Sequence, residues 1–167
     1  YRKMRKASVF ILLILLIFPS SVMAQEEKYI GLFVYNFTKY FDWPETAKSG
    51  EFVIQVLGHK SVYDELVRLT SAKKVGTQNI VVKSISGPEE MVPSQMVFVG
   101  HWQSKHLPAI KQKLSNTPAL IITEMEGLLD QGAALNFVIR DGEIKFEMKL
   151  SNVHSHQLKS DPRIREL

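Results

Sequence analysis

The chain has 167 residues, 45% of them hydrophobic, with 21 Lys and Arg, 17 Asp and Glu and no cysteine. That length suits one domain with one sizeable core, and the missing thiols exclude disulfides, cysteine nucleophiles and cysteine-ligated metal. The basic excess comes from Arg2, Lys3, Arg5 and Lys6, so residues 25–167 are charge-balanced, which removes the argument for a nucleic-acid surface and weakens one for docking onto anionic lipid.

Residues 1–24 read as an export signal: a positive start, an apolar run over 7–19, and the small residues Ser20, Ser21 and Ala24 ahead of a cleavage site before Gln25. The run is ~13 residues, short of the ~20 that a spanning helix needs. No cysteine stands at the cleavage point, so the leader is not of the lipoprotein type. The expected compartment is a Gram-negative periplasm, with secretion from the cell as the alternative.

Residues 26–41 predict a helix that is wider in apolar surface than an ordinary amphipathic one. Tyr29, Phe33, Phe37 and Phe41 recur every four residues, flanked by Ile30, Val34 and Tyr40. Asp42-Trp43-Pro44 ends it. Residues 51–57 predict a strand. Gly58-His59-Lys60 then turns the chain into a helix from Ser61 to about residue 72, with Ser61 as its cap and Asp64 in capping-box position. Strands follow at 79–85, 95–99 and 118–123, with a turn of helix near 89–91 and a short helix over 106–114. The strand at 95–99 is apolar throughout, the habit of parallel sheets covered on both faces. Residues 134–140 and 143–150 flank Asp141-Gly142, a two-residue hairpin signal. The alternation of Ile144, Phe146 and Met148 with Lys145, Glu147 and Lys149 marks a strand with one wet face at a sheet edge. Residues 151–156 open a last helix that Pro162 limits.

This order predicts a single α/β domain over residues 25–167. It would be a three-layer sandwich with a largely parallel central sheet, an antiparallel C-terminal hairpin and helices on both faces.

Motifs with chemistry are few. Gly58-His59-Lys60-Ser61 sits where a phosphate loop would, but the leading glycine is absent and His59 interrupts the pattern, so it reads as a plain strand-to-helix turn. His101 and His106 lie five apart and His154 and His156 two apart, a loose fit to metal-ligand spacing; surface histidines are the plainer reading, with a site built jointly by both pairs as the alternative. Ser104, Glu124 and Glu126 lie near strand ends, yet no orienting partner is readable, and the two glutamates read as solvated. Aromatics lead further. Tyr35, Tyr40, Trp43 and Trp102 are of the type that anchors interfaces, with core filling as the alternative, and His101 adjoins Trp102. Asn36 and Lys39 are polar groups on an apolar helix and must find partners, water or a binding role.

Residues 33–44, FVYNFTKYFDWP, resemble the opening signature of the YfiR family, an aromatic-Asn-Phe-x-Lys helix closed by Trp-Pro. Residues 52–58, 96–99, 119–123 and 134–147 resemble its later blocks, so the resemblance spans about residues 26–159. It implies a non-enzymatic periplasmic regulator without a cofactor. Such a protein binds and restrains the extracytoplasmic domain of an inner-membrane signalling protein of the diguanylate cyclase kind, upstream of cyclic di-GMP and biofilm formation. An outer-membrane lipoprotein that relieves the restraint and a second copy of the chain are further candidate partners. The cysteine-based redox control of the best-known member is excluded here. Tyr35, Asn36, Lys39, Trp43, His101 and Trp102 are the expected partner- or ligand-binding residues. A small-ligand-binding sensor is the alternative function.

Overall fold

The computed structural model describes residues 19–167. The leader expected over 1–24 lies outside them, except at 19–24, where only the backbone is described. No helix among the described residues is long and apolar enough to cross a membrane.

Helix α1 (Pro19–Phe37) precedes the sheet. Its buried line is Ile30, Val34 and Phe37, with Phe33 half-buried beside it. Tyr29 is 48% exposed and does not join them. A four-residue repeat precesses by about 40° per step on a helix of 3.6 residues per turn, so Tyr29 rotates off the face that Phe37 defines. The helix also stops four residues before the expected end. The N–H groups of Thr38, Lys39 and Tyr40 donate to Tyr35, Asn36 and Phe37 oxygens at 3.1, 2.8 and 3.1 Å. This tight turn releases the chain into β1 (Phe41–Asp42), which pairs antiparallel with β9 (Lys159–Ser160).

The main sheet has seven strands. They are β2 (Phe52–Leu57), β3 (Lys74–Val75), β4 (Gln78–Ile85), β5 (Met96–Val99), β6 (Leu120–Thr123), β7 (Leu135–Arg140) and β8 (Glu143–Met148), in the order β3-β4-β2-β5-β6-β7-β8. The five central strands are parallel, and β3 and β8 are antiparallel edges. Asp141 and Gly142, at φ 54° and 76°, form the mirror-image turn expected of the hairpin.

Alternation along the strands splits the core in two. Ile54, Met96, Phe98, Ile122, Leu135 and Phe137 pack under α1 and α2 (Lys60–Thr70), meeting Val34, Phe37, Val62 and Leu66. Val97, Val99 and Ile121 pack under α3 (Leu107–Lys113), meeting Leu107, Ile110 and Leu114. A short α4 (Leu150–Ser155) leads to β9. The fold class read from the sequence is therefore the observed one. One cap differs: α2 is capped by His59, whose Nδ1 accepts the Val62 N–H at 3.4 Å. Ser61 is exposed inside the first turn, and Asp64 pairs with Lys60 at 2.6 Å.

Three buried glutamines close the N-terminal end of the sheet. Gln95 Oε1 accepts the Val53 N–H (2.8 Å), its Nε2 donates to Ala47 O (2.9 Å), and its carbonyl accepts the indole N–H of Trp43 (3.1 Å). Gln55 grips both backbone groups of Val92 (2.8 and 3.0 Å). Gln78 Nε2 faces the carbonyls of Ala47, Ser49 and Glu51 (3.1 to 3.3 Å). An amide is suited to this task because it offers a donor and an acceptor on one arm.

Replacing Gln95 with Ala orphans the buried Val53 N–H and is expected to lower stability by about 2 kcal/mol, or roughly 5 °C in melting temperature, measurable by thermal denaturation. At the C-terminus, Asp161 accepts from the Arg163 guanidinium (2.6 Å) and the Arg163 N–H (2.9 Å), which holds its carboxyl down at about 2. That lies below the roughly 3.9 of an unfolded aspartate. The contribution is thus present above about pH 4 and lost as pH falls through the folded value. The protection factor of the Arg163 amide should fall on acidification across that window, and Asp161→Asn should remove that pH dependence of protection.

Candidate functional site

The parallel strands run β4-β2-β5-β6-β7. The β2-α2-β4 crossover departs to one side and the β5-α3-β6 crossover to the other, so connections diverge at the carboxyl ends of β2 and β5. Open α/β sheets bind their ligands at such switch points.

Two glycines make the floor there. Gly58, at φ 65°, ends β2, and Gly100 ends β5 and donates its N–H to Leu57 O at 2.9 Å. A Cβ on Gly100 would lie 2.9 Å from Gly58 O and 3.0 Å from Leu57 O, so only glycine lets the turns approach this closely. His59 follows the first glycine and His101 the second.

Glu124 follows β6 and joins both turns. Its Oε1 accepts the His101 N–H at 2.6 Å and lies 3.6 Å from His59 Nε2. Its side chain is only 12% exposed. Because His59 Nδ1 accepts from Val62, the proton of the neutral imidazole is assigned to Nε2, facing the carboxylate. The ring itself stands edge-on against Phe98, centroids 5.8 Å apart. Glu124 is therefore a bridging group rather than the solvated loop residue read from the sequence. The signal that could have found it is its place, directly after a core strand.

Ser104 Oγ donates to His101 O at 2.7 Å, tightening the turn from below. On this base stands Trp102, 83% exposed, with its indole edge-on to the His101 ring at 5.0 Å. Met125 and Ile139 are also exposed along the strand ends. Beside them a groove of about 360 Å³ is lined by Glu26 and Ile30 of α1, Glu124, Glu126, and Phe137 to Arg140 of β7. Arg140 spans Glu126 and Glu147 at 3.4 and 3.2 Å.

The expected site residues divide into three places. His101 and Trp102 are at this rim. Tyr35, Asn36 and Lys39 form a separate cluster at the other end of α1: Lys39 Nζ donates to Asn36 Oδ1 (3.0 Å) and lies 4.6 Å from the Tyr35 ring centroid. Trp43 is 3% exposed and packs edge-on against Phe52 at 4.9 Å, so its ring belongs to the core. The histidine pairs do not converge. His156 Nδ1 meets Thr117 O (3.1 Å) ahead of β6, whereas His101 is held behind it. Among the described residues no three His, Asp or Glu side chains stand together as a metal-binding group. Ser104 is engaged with a carbonyl rather than with a base.

The family model described as YfiR/HmsC-like matches residues 28–167. The chain belongs to the YfiR/HmsC-like family. No curated protein matches its sequence. YfiR/HmsC-like membership supports, in general terms, a periplasmic regulator of cyclic di-GMP signalling that works with a membrane signalling partner. In this YfiR/HmsC-like chain, the most exposed large apolar side chain among the described residues stands at the switch point of the sheet.

Glu124→Ala removes a charge-assisted acceptor worth about 1.5–3 kcal/mol. Amide exchange at His101 should accelerate roughly tenfold or more, while circular dichroism stays that of the parent protein.

Proposed function

We propose that this chain is a non-enzymatic periplasmic regulator, exported by residues 1–24. It binds the extracytoplasmic domain of an inner-membrane signalling protein of the diguanylate cyclase kind and holds it inactive, lowering cyclic di-GMP output and biofilm formation. The observation that carries the reading is Trp102. A tryptophan 83% exposed is costly to leave in water, yet the residue before it, His101, is anchored through its backbone by Glu124 and Ser104. An immobilised aromatic on a pre-built base loses little entropy on docking, which is the character of an interface anchor.

Restraint then follows from differential affinity. A regulator that bound both states of the receptor equally would shift nothing. One that fits only the inactive state stabilises it by the whole of that difference. An outer-membrane lipoprotein relieves the restraint by competing for the same chain. The cluster of Tyr35, Asn36 and Lys39 offers a second contact at the far end of α1.

The groove beside Trp102 supports a second reading, a small-ligand sensor. It combines an apolar floor of Ile30 and Phe137 with Glu124 and Arg140, the mixture that holds a compact polar solute. Because Glu124 serves both groove and rim, a solute there would act on the same turn that carries Trp102.

Trp102→Ala should weaken capture of the receptor's extracytoplasmic domain about tenfold or more with no fall in melting temperature, since the side chain supports nothing beneath it. Binding by surface plasmon resonance and cyclic di-GMP in cells lacking the gene, complemented with either form, are the measurements. Unchanged binding and unchanged cyclic di-GMP would overturn the reading.

A further inference from the structure

β4 is covered on its outer side for only part of its length. The strand beyond it, β3, meets Gln78 and Asn79, and the Ile80 N–H still finds the Lys73 carbonyl at 3.2 Å. Past that point the outer side is open. Backbone groups alternate in direction along a strand. The Ile85 carbonyl turns inward and accepts the Gly58 N–H at 3.2 Å, and the register with β2 runs unbroken from Ile80 to Ile85. Val81, Lys83 and Ile85 therefore direct their N–H and C=O groups to β2, and Val82 and Ser84 direct theirs outward. No hydrogen bond among the described residues takes those outward groups up. The run has neither a proline nor a bulge, two of the usual devices that close an edge.

An apolar shelf lies over this run. Val82 packs against the core on the α2 side. On α2, Glu65, Arg68 and Leu69 line a groove shared with α1. Tyr63 and Val67 each stand two residues from Glu65, about 200° around the helix. They are thus on the flank away from α1, above β4, and Val67 is 43% exposed. On the other surface of the sheet, Lys83 follows the parity of Ile85, which is buried toward α3.

The charge along this edge has one sign. Residues 71–88 contain Lys73, Lys74 and Lys83 and no Asp or Glu. The three lysines are exposed, and none is ion-paired among the described residues. The neighbouring carboxylates of α2, Asp64 and Glu65, are already held by Lys60 and Arg68, each at 2.6 Å. Lysines on an edge are an ordinary guard against fusion with another sheet, but the guard is selective. A second β4 edge brings the same lysines and is repelled, whereas a strand bearing carboxylates is attracted.

We propose that the open edge of β4 accepts an extended acidic segment of a partner protein as an added strand, antiparallel to β4 in the lane that β3 begins. The segment exchanges main-chain hydrogen bonds with Val82 and Ser84. It is apolar where it meets Val82 beneath Tyr63 and Val67, and acidic where it faces Lys83 on the opposite surface. In such strand addition the main chain supplies affinity and the alternate side chains supply selectivity. Trp102 stands at the strand ends rather than on this flank, so the proposal does not rest on the Trp102 contact.

The test is nuclear magnetic resonance of the isotope-labelled protein, titrated with a blocked peptide of alternating valine and glutamate. A peptide about seven residues long covers the run, and dissociation on the order of millimolar is expected of a single added strand. The amides of Val82 and Ser84 should shift, and their hydrogen exchange should slow roughly tenfold at saturation. The same peptide with lysine in place of glutamate should bind about tenfold more weakly or worse. Lys83→Glu, at an exposed position, should fold normally and remove that preference. Trp102→Ala should leave peptide binding unchanged, so this proposal and the receptor reading fail separately. Unaltered Val82 and Ser84 amides, an equal response to both peptides, or indifference to Lys83→Glu would sink the proposal. So would shifts confined to the lysines, the mark of loose ionic attraction without an added strand.

Discussion

Gln95 is the interaction on which the rest of the structure depends. Its backbone and side chain together bind Val53 twice, Ala47, Leu120 and the indole of Trp43. Those contacts fix the starts of β2, β5 and β6 relative to one another. They also draw in the loop that carries the chain from α1 to the sheet. A buried amide is costly unless every one of its groups is satisfied, and here each is. The register so fixed at one end of the strands is transmitted along short, apolar strands to the other. There it decides how closely Gly58 and Gly100 meet and where Glu124 stands.

The two ends of the sheet thus have different tasks. Glutamines at the amino ends spend their side-chain amides on backbone groups of the protein, and Trp43 is covered among them. At the carboxyl ends one carboxylate braces two turns, and Trp102 stands outward in water. The same residue type is buried structure in one place and exposed surface in the other. Burial, rather than composition, separates the two roles.

Much of the fold was legible in the sequence because periodicity is a strong signal where elements are buried. The apolar run at 95–99 foretold a covered parallel strand, and Asp141-Gly142 foretold the hairpin turn. The alternation at 144–149 foretold an edge. What escaped were features made by few residues at long range. The β1–β9 pairing joins Phe41 to Ser160, and two-residue strands leave no periodic trace. The end of α1 was misplaced because a four-residue aromatic repeat imitates a helix even where Phe41 has entered a strand. His59 was passed over as a cap because Ser61 is the commoner capping residue. The site was legible only in pieces. His101 and Trp102 stood out by type, but Glu124 gains its importance from a neighbour twenty-three positions away. Tyr35 was picked out as an aromatic and Asn36 and Lys39 as polar groups on an apolar helix, and the structure sets the three side by side. Nothing in the sequence shows that they lie at the opposite end of the molecule from Trp102.

Helix α1 runs opposite to the parallel strands, with Phe37 near their beginnings and Glu26 and Ile30 beside the groove at their ends. Anything attached upstream of Gln25 leaves the domain next to the groove that Glu124 lines. A purification handle or fluorescent fusion at that terminus would stand in the doorway, whereas one following Leu167 would sit against the β8 edge. The choice of terminus for labelling therefore decides which of the two surfaces is masked.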